Sequence, residues 1–423
     1  MNPIISHRRL WIVVAGALAA VYLAQGATPL RLDDDTVDYL RMAAAITDGG
    51  TVPTVLPVGF PFVLSMLERA GLGSSFFFVM ANCVFLAVGL IAVWKLLASY
   101  PDTVRQASVV FSLLAIPFVK SVAMPLPEAA FFCASLLSLW AMTAAGDASG
   151  WRRRALLASA FFFIAASVTI RTIGIALLPA FLLACVQPSR RGTDRERSER
   201  SRAWIIFGGC FAIALILILW RSEAVTVYQS WLRDYYLQGD IVWQIARRIS
   251  FVLSGLGEIV INVPFARLRE WRFGFGIAGI IALVAILIGL RRTRTPLTPA
   301  RLYLLAYFLI VAVWPNPSPR LWMPVIPLLI AEVGRIISEL PSMRWKTGLV
   351  GTYAAWFALT GIAALAYTSR ISFSGSNFEN VYGRRGGMPT EEVDVSDPNW
   401  GHLQYYKAQA KKMTARYGGG ERR

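Results

Sequence analysis

The sequence has very few residues of the kinds that bind transition metals. It contains two histidines, His7 and His402, and only four cysteines in 423 residues. The cysteines all lie inside apolar runs, at positions Cys83, Cys133, Cys185 and Cys210. Their spacing matches no zinc-ligand pattern. The sequence therefore disfavours zinc chemistry, and we interpret the thiols as small buried side chains.

Charged residues are also scarce, at 16% of the chain, whereas 56% of the residues are hydrophobic. Segments such as 74–97 and 347–368 are apolar around most of their circumference, unlike a helix with a single apolar stripe. They are long enough to cross a hydrocarbon core of about 30 Å. These features predict an all-α, polytopic transmembrane helix bundle with no separate large soluble domain.

The net charge of +17 would be compatible with nucleic-acid binding, but the basic residues fall in short loops at the ends of apolar segments. That distribution encodes orientation in a membrane. It predicts a cytoplasmic N-terminus, membrane lipids as partners and no nucleic-acid partner. The first apolar run follows Arg8 and Arg9 without a convincing cleavage site, so we interpret it as an uncleaved span.

About eleven spans are predicted, and totals of ten or twelve remain open. The predicted segments are 10–26, 75–98, 105–122, 126–145, 155–170, 172–187, 203–220, 273–290, 302–315, 321–338 and 347–368. Segment 249–266 is apolar enough to insert, but it contains Glu258, Asn262 and Pro264. We therefore expect this segment to form an amphipathic helix at the outer interface.

This topology predicts a transmembrane domain over residues 1–368 and a small non-cytoplasmic C-terminal segment over residues 369–423. The large outer parts are the first outer loop, residues 27–74, and a second outer segment, residues 221–272. Function is expected in these parts or in the cavity beneath them. No internal repeat stands out, which weakens a transporter interpretation because many carriers consist of two similar halves.

Four aspartates lie just beyond the first span, at positions Asp33, Asp34, Asp35 and Asp38. Ionisable groups at a membrane border are costly unless they serve a cavity, a partner or a reaction. The pattern predicts a helix that starts near Asp35 and ends at Gly49 and Gly50. Asp34 and Asp38 share one face of it, and Asp35 and Tyr39 share a neighbouring face. The simpler alternative is that the acids only cap this helix.

Several further elements lie on the predicted outer side. The segment Leu56-Pro57-Val58-Gly59-Phe60-Pro61 predicts a rigid turn followed by a second short helix. Pro127 and Glu128 open the fourth span, Arg171 divides two apolar halves, and the run from Arg320 to Pro327 begins a late span.

In order and motif together, these elements resemble the GT-C superfamily of membrane glycosyltransferases. The similarity is greatest to the groups that use polyprenyl-phosphate sugars, such as the protein O-mannosyltransferases and aminoarabinose transferases. Asp35, Thr36, Tyr39 and Ala43 stand where that family has Asp, Ser, Tyr and Ala in its first outer loop. Its Pro-Pro-Gly-aromatic-Pro element is matched by residues 57–61 except at Val58. The resemblance extends over residues 34–327.

The resemblance implies an integral membrane glycosyltransferase that moves a sugar from a polyprenyl-phosphate donor to an acceptor hydroxyl, with inversion at the anomeric carbon. The acceptor would be a glycan, a lipid or a protein. We expect Asp35 to act as the general base and Asp34 or Asp38 to orient the acceptor or tune Asp35. We expect Arg320, and secondarily Arg171, to bind the donor phosphate. The alternative for each arginine is an ordinary loop charge.

Four further residues are candidate substrate-binding groups, namely Tyr39, Glu128, Arg233 and Tyr235. Glu128 would position a substrate hydroxyl or pair with Arg171, and its alternative role is a capping acid after Pro127. For Arg233 and Tyr235 the alternative is a solvated amphipathic face. No obligatory metal or other cofactor is expected, although carboxylates suit Mg²⁺ or Mn²⁺.

Two other function classes remain open. A transporter or flippase for a lipid-linked saccharide would use the same acids and arginines to bind cargo, and a scaffold subunit of an envelope assembly would perform no chemistry. The arginine- and alanine-rich composition favours a bacterial inner membrane, with the active site and the C-terminus on the periplasmic side.

Overall fold

A computed structural model of the chain describes residues 3–52, 56–187, 209, 223–237, 240–264, 269–292, 297–314, 318–339, 344–373 and 400–418. These residues form α-helices, short 3-10 turns and connecting segments, so the all-α prediction is confirmed for the described part of the chain. The predicted span at 203–220 lies outside the described residues, except for residue 209.

Sixteen α-helices lie within the described ranges. Their bounds are α1 Pro3–Ala24, α2 Asp34–Asp48, α3 Gly59–Arg69, α4 Ser75–Leu96, α5 Asp102–Leu114, α6 Ile116–Ser121, α7 Glu128–Gly146, α8 Gly150–Ile170, α9 Leu177–Val186, α10 Glu223–Leu237, α11 Ile241–Ile261, α12 Arg272–Arg292, α13 Pro299–Val313, α14 Ile326–Glu339, α15 Arg344–Phe373 and α16 Trp400–Tyr417. The same ranges contain four 3-10 turns, at Gln25–Ala27, Thr172–Ala176, Arg269–Trp271 and Pro319–Trp322.

Four of these helices are long and apolar enough to cross a membrane, counted over the described residues alone. They are α4, α7, α8 and the stretch Thr347–Phe373 of α15. Shorter apolar helices occur at Trp11–Ala27, Thr172–Val186, Phe273–Gly289 and Pro299–Val313. The chain is an integral membrane protein with apolar spans, and the total of eleven stays a prediction.

Helix α7 lies at the centre of the bundle and packs against α4 and α8. Its sequence is almost uniformly apolar or small, and most of its side chains are buried, including Phe131, Phe132 and Leu136. A helix that is apolar all round is expected in the interior of a bundle. Because Glu128 is the first residue of α7, this packing holds a carboxylate at the end of the most buried of the four long apolar helices.

The predicted span at residues 105–122 is not one continuous helix. The chain forms α5, breaks at Ala115 with an extended backbone, and resumes as α6. The break agrees with the position of Pro117, which has no backbone N–H to donate in a continuing helix and is tolerated in the first turn of α6. Asn262 satisfies the backbone groups at the break, because its side chain accepts from Ile116 N and donates to the Leu114 carbonyl.

The prediction of an amphipathic helix at the outer interface over residues 249–266 did not include the packing that the structure shows. A helix does form there as α11, but its second half is buried and packs lengthwise against α12. Gly257 and Gly279 face the backbone of the opposite helix at Phe275 and Leu253, where a Cβ atom would clash. Small residues of this kind let two membrane helices approach closely.

The predicted late span at 321–338 is shorter than expected. Arg320 lies in a 3-10 turn, Pro319–Trp322, and the regular helix α14 begins only at Ile326. Pro324 and Pro327 lie close to this boundary, and proline is tolerated only at the start of a helix. Arg320 therefore lies in a 3-10 turn that precedes α14, and not in the helix itself.

The C-terminal helix α16 packs on α2 in the first outer loop. Tyr406 donates to Asp38 at 2.6 Å, and Arg416 binds Asp48 at 2.7 Å and Glu68 at 2.6 Å. The hydrogen bond from Arg416 holds the pKa of Asp48 below its usual value. The C-terminal segment, in which the sequence contains no recognised motif, is thus attached to the helix that carries the aspartates.

Candidate functional site

The aspartates at the start of α2, the first helix of the outer loop, occupy different positions in the helix. Asp33 is the N-cap of α2, and its side chain accepts from the backbone N–H of Thr36 at 2.8 Å. Asp34 and Asp35 lie in the first turn, where negative charge is favourable to the helix dipole. Gly49 ends the helix in the left-handed conformation, with φ of 70°. Capping therefore explains Asp33, but it does not require Asp35.

The second short helix, α3, is held against the end of α8 by one glycine. A Cβ atom at Gly59 would lie 2.6 Å from the carbonyl carbon and oxygen of Thr169. This is far inside van der Waals contact, so only glycine fits the close approach of the two backbones. The contact anchors the first outer loop two residues before Arg171.

Arg320 contacts three carboxylates that come from two distant parts of the chain. It donates a hydrogen bond to Asp35, and it lies 3.6 Å from Asp33 and 3.4 Å from Glu128. The turn that carries it is fixed by Tyr307, which donates to the backbone carbonyl of the neighbouring Leu321. A guanidinium suits this position because its planar fork of N–H donors can serve several oxygens at once.

Arg171 reaches the same place from the end of α8. Its backbone is extended, with φ of −148° and ψ of 128°, so α8 stops and the chain turns into a 3-10 segment. The Arg171 guanidinium donates to Glu128 Oε1, the oxygen that also faces Arg320. Glu128 is only 2% exposed. It therefore lies as a buried carboxylate between two arginines.

We refer to Asp33, Asp35, Glu128, Arg171 and Arg320 as the acid–arginine cluster. It carries three carboxylates and two guanidinium groups. The Glu128 side chain in this cluster is buried, whereas the Asp35 side chain is 34% exposed and that of Arg320 is 23% exposed. The cluster is therefore open on the side of Asp35 and Arg320. Such an arrangement can bind an anion through the arginines while a carboxylate faces the same opening.

Other candidate residues lie outside this cluster. Asp38 pairs with Arg41 at 3.0 Å and accepts from Tyr406, so its carboxylate supports α16. Tyr39 is buried, and its ring packs edge-on against Phe60 at 5.7 Å between centroids. Asp34 follows the cap in the first turn of α2. The roles assigned to these residues stay predictions.

The candidates on α10 are not brought to the cluster by any described contact. Arg233 is exposed and lies 3.8 Å from its neighbour Asp234. The backbone of Tyr235 belongs to α10, but its side chain lies outside the described part of the structure. Within the described ranges, no group of three or more His, Cys, Asp or Glu residues is placed to hold a metal ion. The expectation of no obligatory metal stays a prediction.

Sequence reasoning missed two features of this region. It did not assign Asp33 as a partner of Arg320, because the residue reads as an ordinary helix cap. It also missed the contacts of α16, although an alternation of aromatic and basic residues from Tyr405 to Tyr417 was available as a signal. In the structure Arg41 lies over the ring of Tyr405 at 5.1 Å, and Tyr417 donates to Glu68.

No protein-family model matches the chain, and no curated protein matches it. Solved structures match over nearly its whole length. An Archaeoglobus fulgidus oligosaccharyltransferase tethered to an acceptor peptide is 11% identical with a TM-score of 0.52, and the match covers 95% of this chain and 59% of that one. ArnT from Cupriavidus metallidurans in the apo state is 14% identical with a TM-score of 0.50, covering 97% of this chain and 78% of that one.

A second structure of that ArnT, bound to undecaprenyl phosphate, is 15% identical with a TM-score of 0.49, covering 96% of this chain and 77% of that one. The two matches with TM-scores of 0.52 and 0.50, at 11% and 14% identity, show the fold alone. The fold that the sequence resemblance implied is thus confirmed. The chain spans well under two thirds of the oligosaccharyltransferase.

Proposed function

From a GT-C fold and the geometry of the acid–arginine cluster, we propose that the chain is a membrane glycosyltransferase. It takes a sugar from a polyprenyl-phosphate donor and transfers it to an acceptor hydroxyl on the outer, periplasmic face of a bacterial inner membrane. One observation carries the proposal. Arg320 meets Asp35 and Glu128, and Glu128 meets Arg171, although these residues come from four separate segments of the chain.

The two arginines are suited to the donor phosphate. Both remain charged in a low-dielectric environment and can donate to two phosphate oxygens at once. Glu128 holds their guanidinium groups on either side of one oxygen, which keeps both within the same small volume. A phosphate at the open side of Arg320 therefore has two cations nearby. Its polyprenyl chain would leave between the apolar helices into the bilayer.

Asp35 is suited to the acceptor. In the proposed reaction the acceptor oxygen attacks the anomeric carbon, and its proton passes to the Asp35 carboxylate. The bond between the anomeric carbon and the phosphate oxygen breaks, and the polyprenyl phosphate leaves with the electron pair. Arg320 and Arg171 stabilise the negative charge on that leaving group. One direct displacement inverts the configuration of the sugar.

The ion pair between Asp35 and Arg320 has a consequence for the order of binding. While Arg320 donates to Asp35, neither group is fully available for its proposed role. A donor phosphate competes with Asp35 for the guanidinium, because it carries a similar charge and more acceptor atoms. Donor binding would thus break the hydrogen bond between Arg320 and Asp35. The Asp35 carboxylate could then accept a proton from the acceptor only when a donor is bound.

The proposal is tested with purified protein reconstituted in vesicles that contain a polyprenyl-phosphate sugar. With candidate acceptors supplied on the outer side, a transferase releases polyprenyl phosphate and forms a glycosylated acceptor, and both products are measured by mass spectrometry. A flippase would move the intact donor between leaflets without releasing polyprenyl phosphate. Translocation without release would overturn the enzymatic assignment, and so would the absence of both activities across donor classes.

A further inference from the structure

A second polar cluster lies beside the acid–arginine cluster, where the outer ends of α1 and α15 meet. It contains Gln25, Arg31 and Ser372, and Ser369 lies about one helical turn before Ser372 in α15. Arg31 donates to Ser372 Oγ at 3.0 Å, and Ser372 Oγ lies 3.3 Å from Gln25 Oε1. These contacts join the segment before α2 to the last turn of the apolar span in α15. The cluster therefore lies at the border of the membrane.

The cluster has more hydrogen-bond donors than acceptors. Gln25 is fully buried, and its side-chain Nε2 has no partner among the described residues. The buried hydroxyl of Ser369 has no partner in the described part of the chain either. Among the described residues, the Arg31 side chain donates one hydrogen bond, to Ser372, although a guanidinium carries five N–H donors. Native proteins rarely leave such donors unsatisfied.

No described carboxylate forms an ion pair with Arg31. Asp33 lies close enough to favour its charged form, but burial is the larger effect and lowers the pKa of Arg31. Arginine keeps its charge in such surroundings. The site thus contains a partly buried cation, a buried amide N–H group with no partner among the described residues and, one helical turn from Ser372, a buried hydroxyl. An anion with several oxygen atoms would satisfy all three.

The surroundings favour an anion that is attached to a lipid. Large exposed aromatic residues border the cluster: Phe76 is 45% exposed, Tyr367 is 43% exposed and Phe373 is 58% exposed. Phe76 packs beside Gly26, and Phe373 directly follows Ser372. Aromatic side chains at this depth are typical of the level of the lipid headgroups. An acyl chain could follow them while the headgroup phosphate reaches Arg31.

We propose that Gln25, Arg31 and Ser372, with Ser369 beside them, form a binding site for the phosphate of an anionic lipid headgroup in the outer leaflet. The site differs from the proposed donor site in its residues, although Asp33 lies near both Arg31 and Arg320. A bound phosphate would fix the segment that leads from α1 into the N-cap of α2.

The test uses the full chain in phosphatidylcholine nanodiscs that contain increasing fractions of phosphatidylglycerol. Bound phosphatidylglycerol is counted by mass spectrometry of the intact protein–lipid complex. We expect Arg31→Gln to weaken this binding on the order of tenfold, a loss typical of one charge-assisted pair. Lys411→Gln removes one exposed charge on α16 and should bind as the unsubstituted chain does. Equal binding by Arg31→Gln and the unsubstituted chain would overturn the proposal.

A second variant separates lipid binding from folding. Gln25→Glu places a carboxylate beside Arg31, which should pair with the guanidinium, preserve the thermal unfolding temperature and exclude the lipid phosphate. Unchanged phosphatidylglycerol binding by this variant would contradict the site. Inorganic phosphate is added in a parallel arm and should not displace the lipid. If it displaces the lipid efficiently, the site binds free phosphate and the lipid assignment is wrong. Because the readout is binding, it is independent of transferase activity.

Discussion

Arg320 donates a hydrogen bond to Asp35, although the two residues are separated by 285 positions in the chain. One lies in a 3-10 turn before α14, and the other lies in the first turn of α2. Their contact brings a proposed phosphate-binding cation and a proposed general base to one opening. The acceptor and the leaving group must meet at such a place, so this pair defines where the chemistry is expected.

Asp35→Asn should abolish sugar transfer while leaving the protein folded. The amide keeps the shape of the side chain but cannot accept the acceptor's proton, and a positioned general base contributes about 10²- to 10⁴-fold to a rate. The measurement is the release of polyprenyl phosphate per enzyme, together with the thermal unfolding temperature. Asp102→Asn, at a side chain that is 75% exposed, serves as the matched control and should stay active. A fully active Asp35→Asn protein would remove the assignment.

Arg320→Lys should raise the KM for the donor more than it lowers kcat at saturating donor. A lysine keeps the charge but loses the fork that serves Asp33, Asp35 and Glu128 together. Loss of one charge-assisted hydrogen bond costs about 1.5–3 kcal/mol, which corresponds to roughly 10- to 100-fold in donor affinity. Steady-state kinetics with varied donor would measure it. An unchanged KM would show that Arg320 does not bind the donor.

Glu128→Gln should weaken donor binding and lower stability together. The buried carboxylate holds Arg171 and Arg320, and breaking a buried ion pair by removing one partner typically costs about 3–5 kcal/mol. The amide keeps one acceptor oxygen, so the loss should fall at or below the lower end of that range. Thermal unfolding and donor KM would be measured on the same preparations. A stable variant with unchanged donor KM would mean that Glu128 positions neither arginine.

Much of the fold follows from local sequence, whereas the site depends on contacts between distant segments. The bounds of α2 were predictable, because Asp33 caps its start and Gly49 supplies the left-handed residue at its end. The break at Ala115 was missed although Pro117 is a local signal for it, and only the structure shows that Asn262 from another part of the chain satisfies its backbone groups. The docking of α16 was missed because its hydrogen bonds join residues more than 300 positions apart, such as Tyr406 and Asp38.

Gly59→Ala should destabilise the protein without touching any residue of the cluster. The new Cβ atom would lie 2.6 Å from the backbone of Thr169, so α3 or the end of α8 must shift. Overpacking of this kind typically costs about 1–3 kcal/mol. Thermal unfolding in detergent would measure the loss. Gly351→Ala is the matched control, because open space surrounds that position in α15, and it should be neutral or slightly stabilising. Equal unfolding temperatures for both variants would contradict the described packing.

Arg416→Gln should release α16 from the first outer loop. Arg416 binds Asp48 and Glu68, so its loss removes the ionic contacts that complement Tyr406 and Tyr417. Spin labels introduced by Thr51→Cys and Ala408→Cys would report the distance between the loop and α16 by pulsed electron resonance. A single narrow distribution is expected for the parent and for Lys412→Gln, which removes an exposed charge on the same helix. A broad distribution is expected for Arg416→Gln.

The same labels test the pH dependence of docking. The pKa of Asp48 is lowered in the folded protein, chiefly by its hydrogen bond with Arg416. A carboxylate with a depressed pKa contributes stability that is present above its unfolded pKa, about 3.9, and is lost as the pH falls through the folded value. The narrow distribution should therefore persist from neutral pH to about pH 4 and broaden only in stronger acid. Broadening between pH 5 and pH 7 would show that another titrating group controls the contact, because Asp48 remains ionised throughout that window.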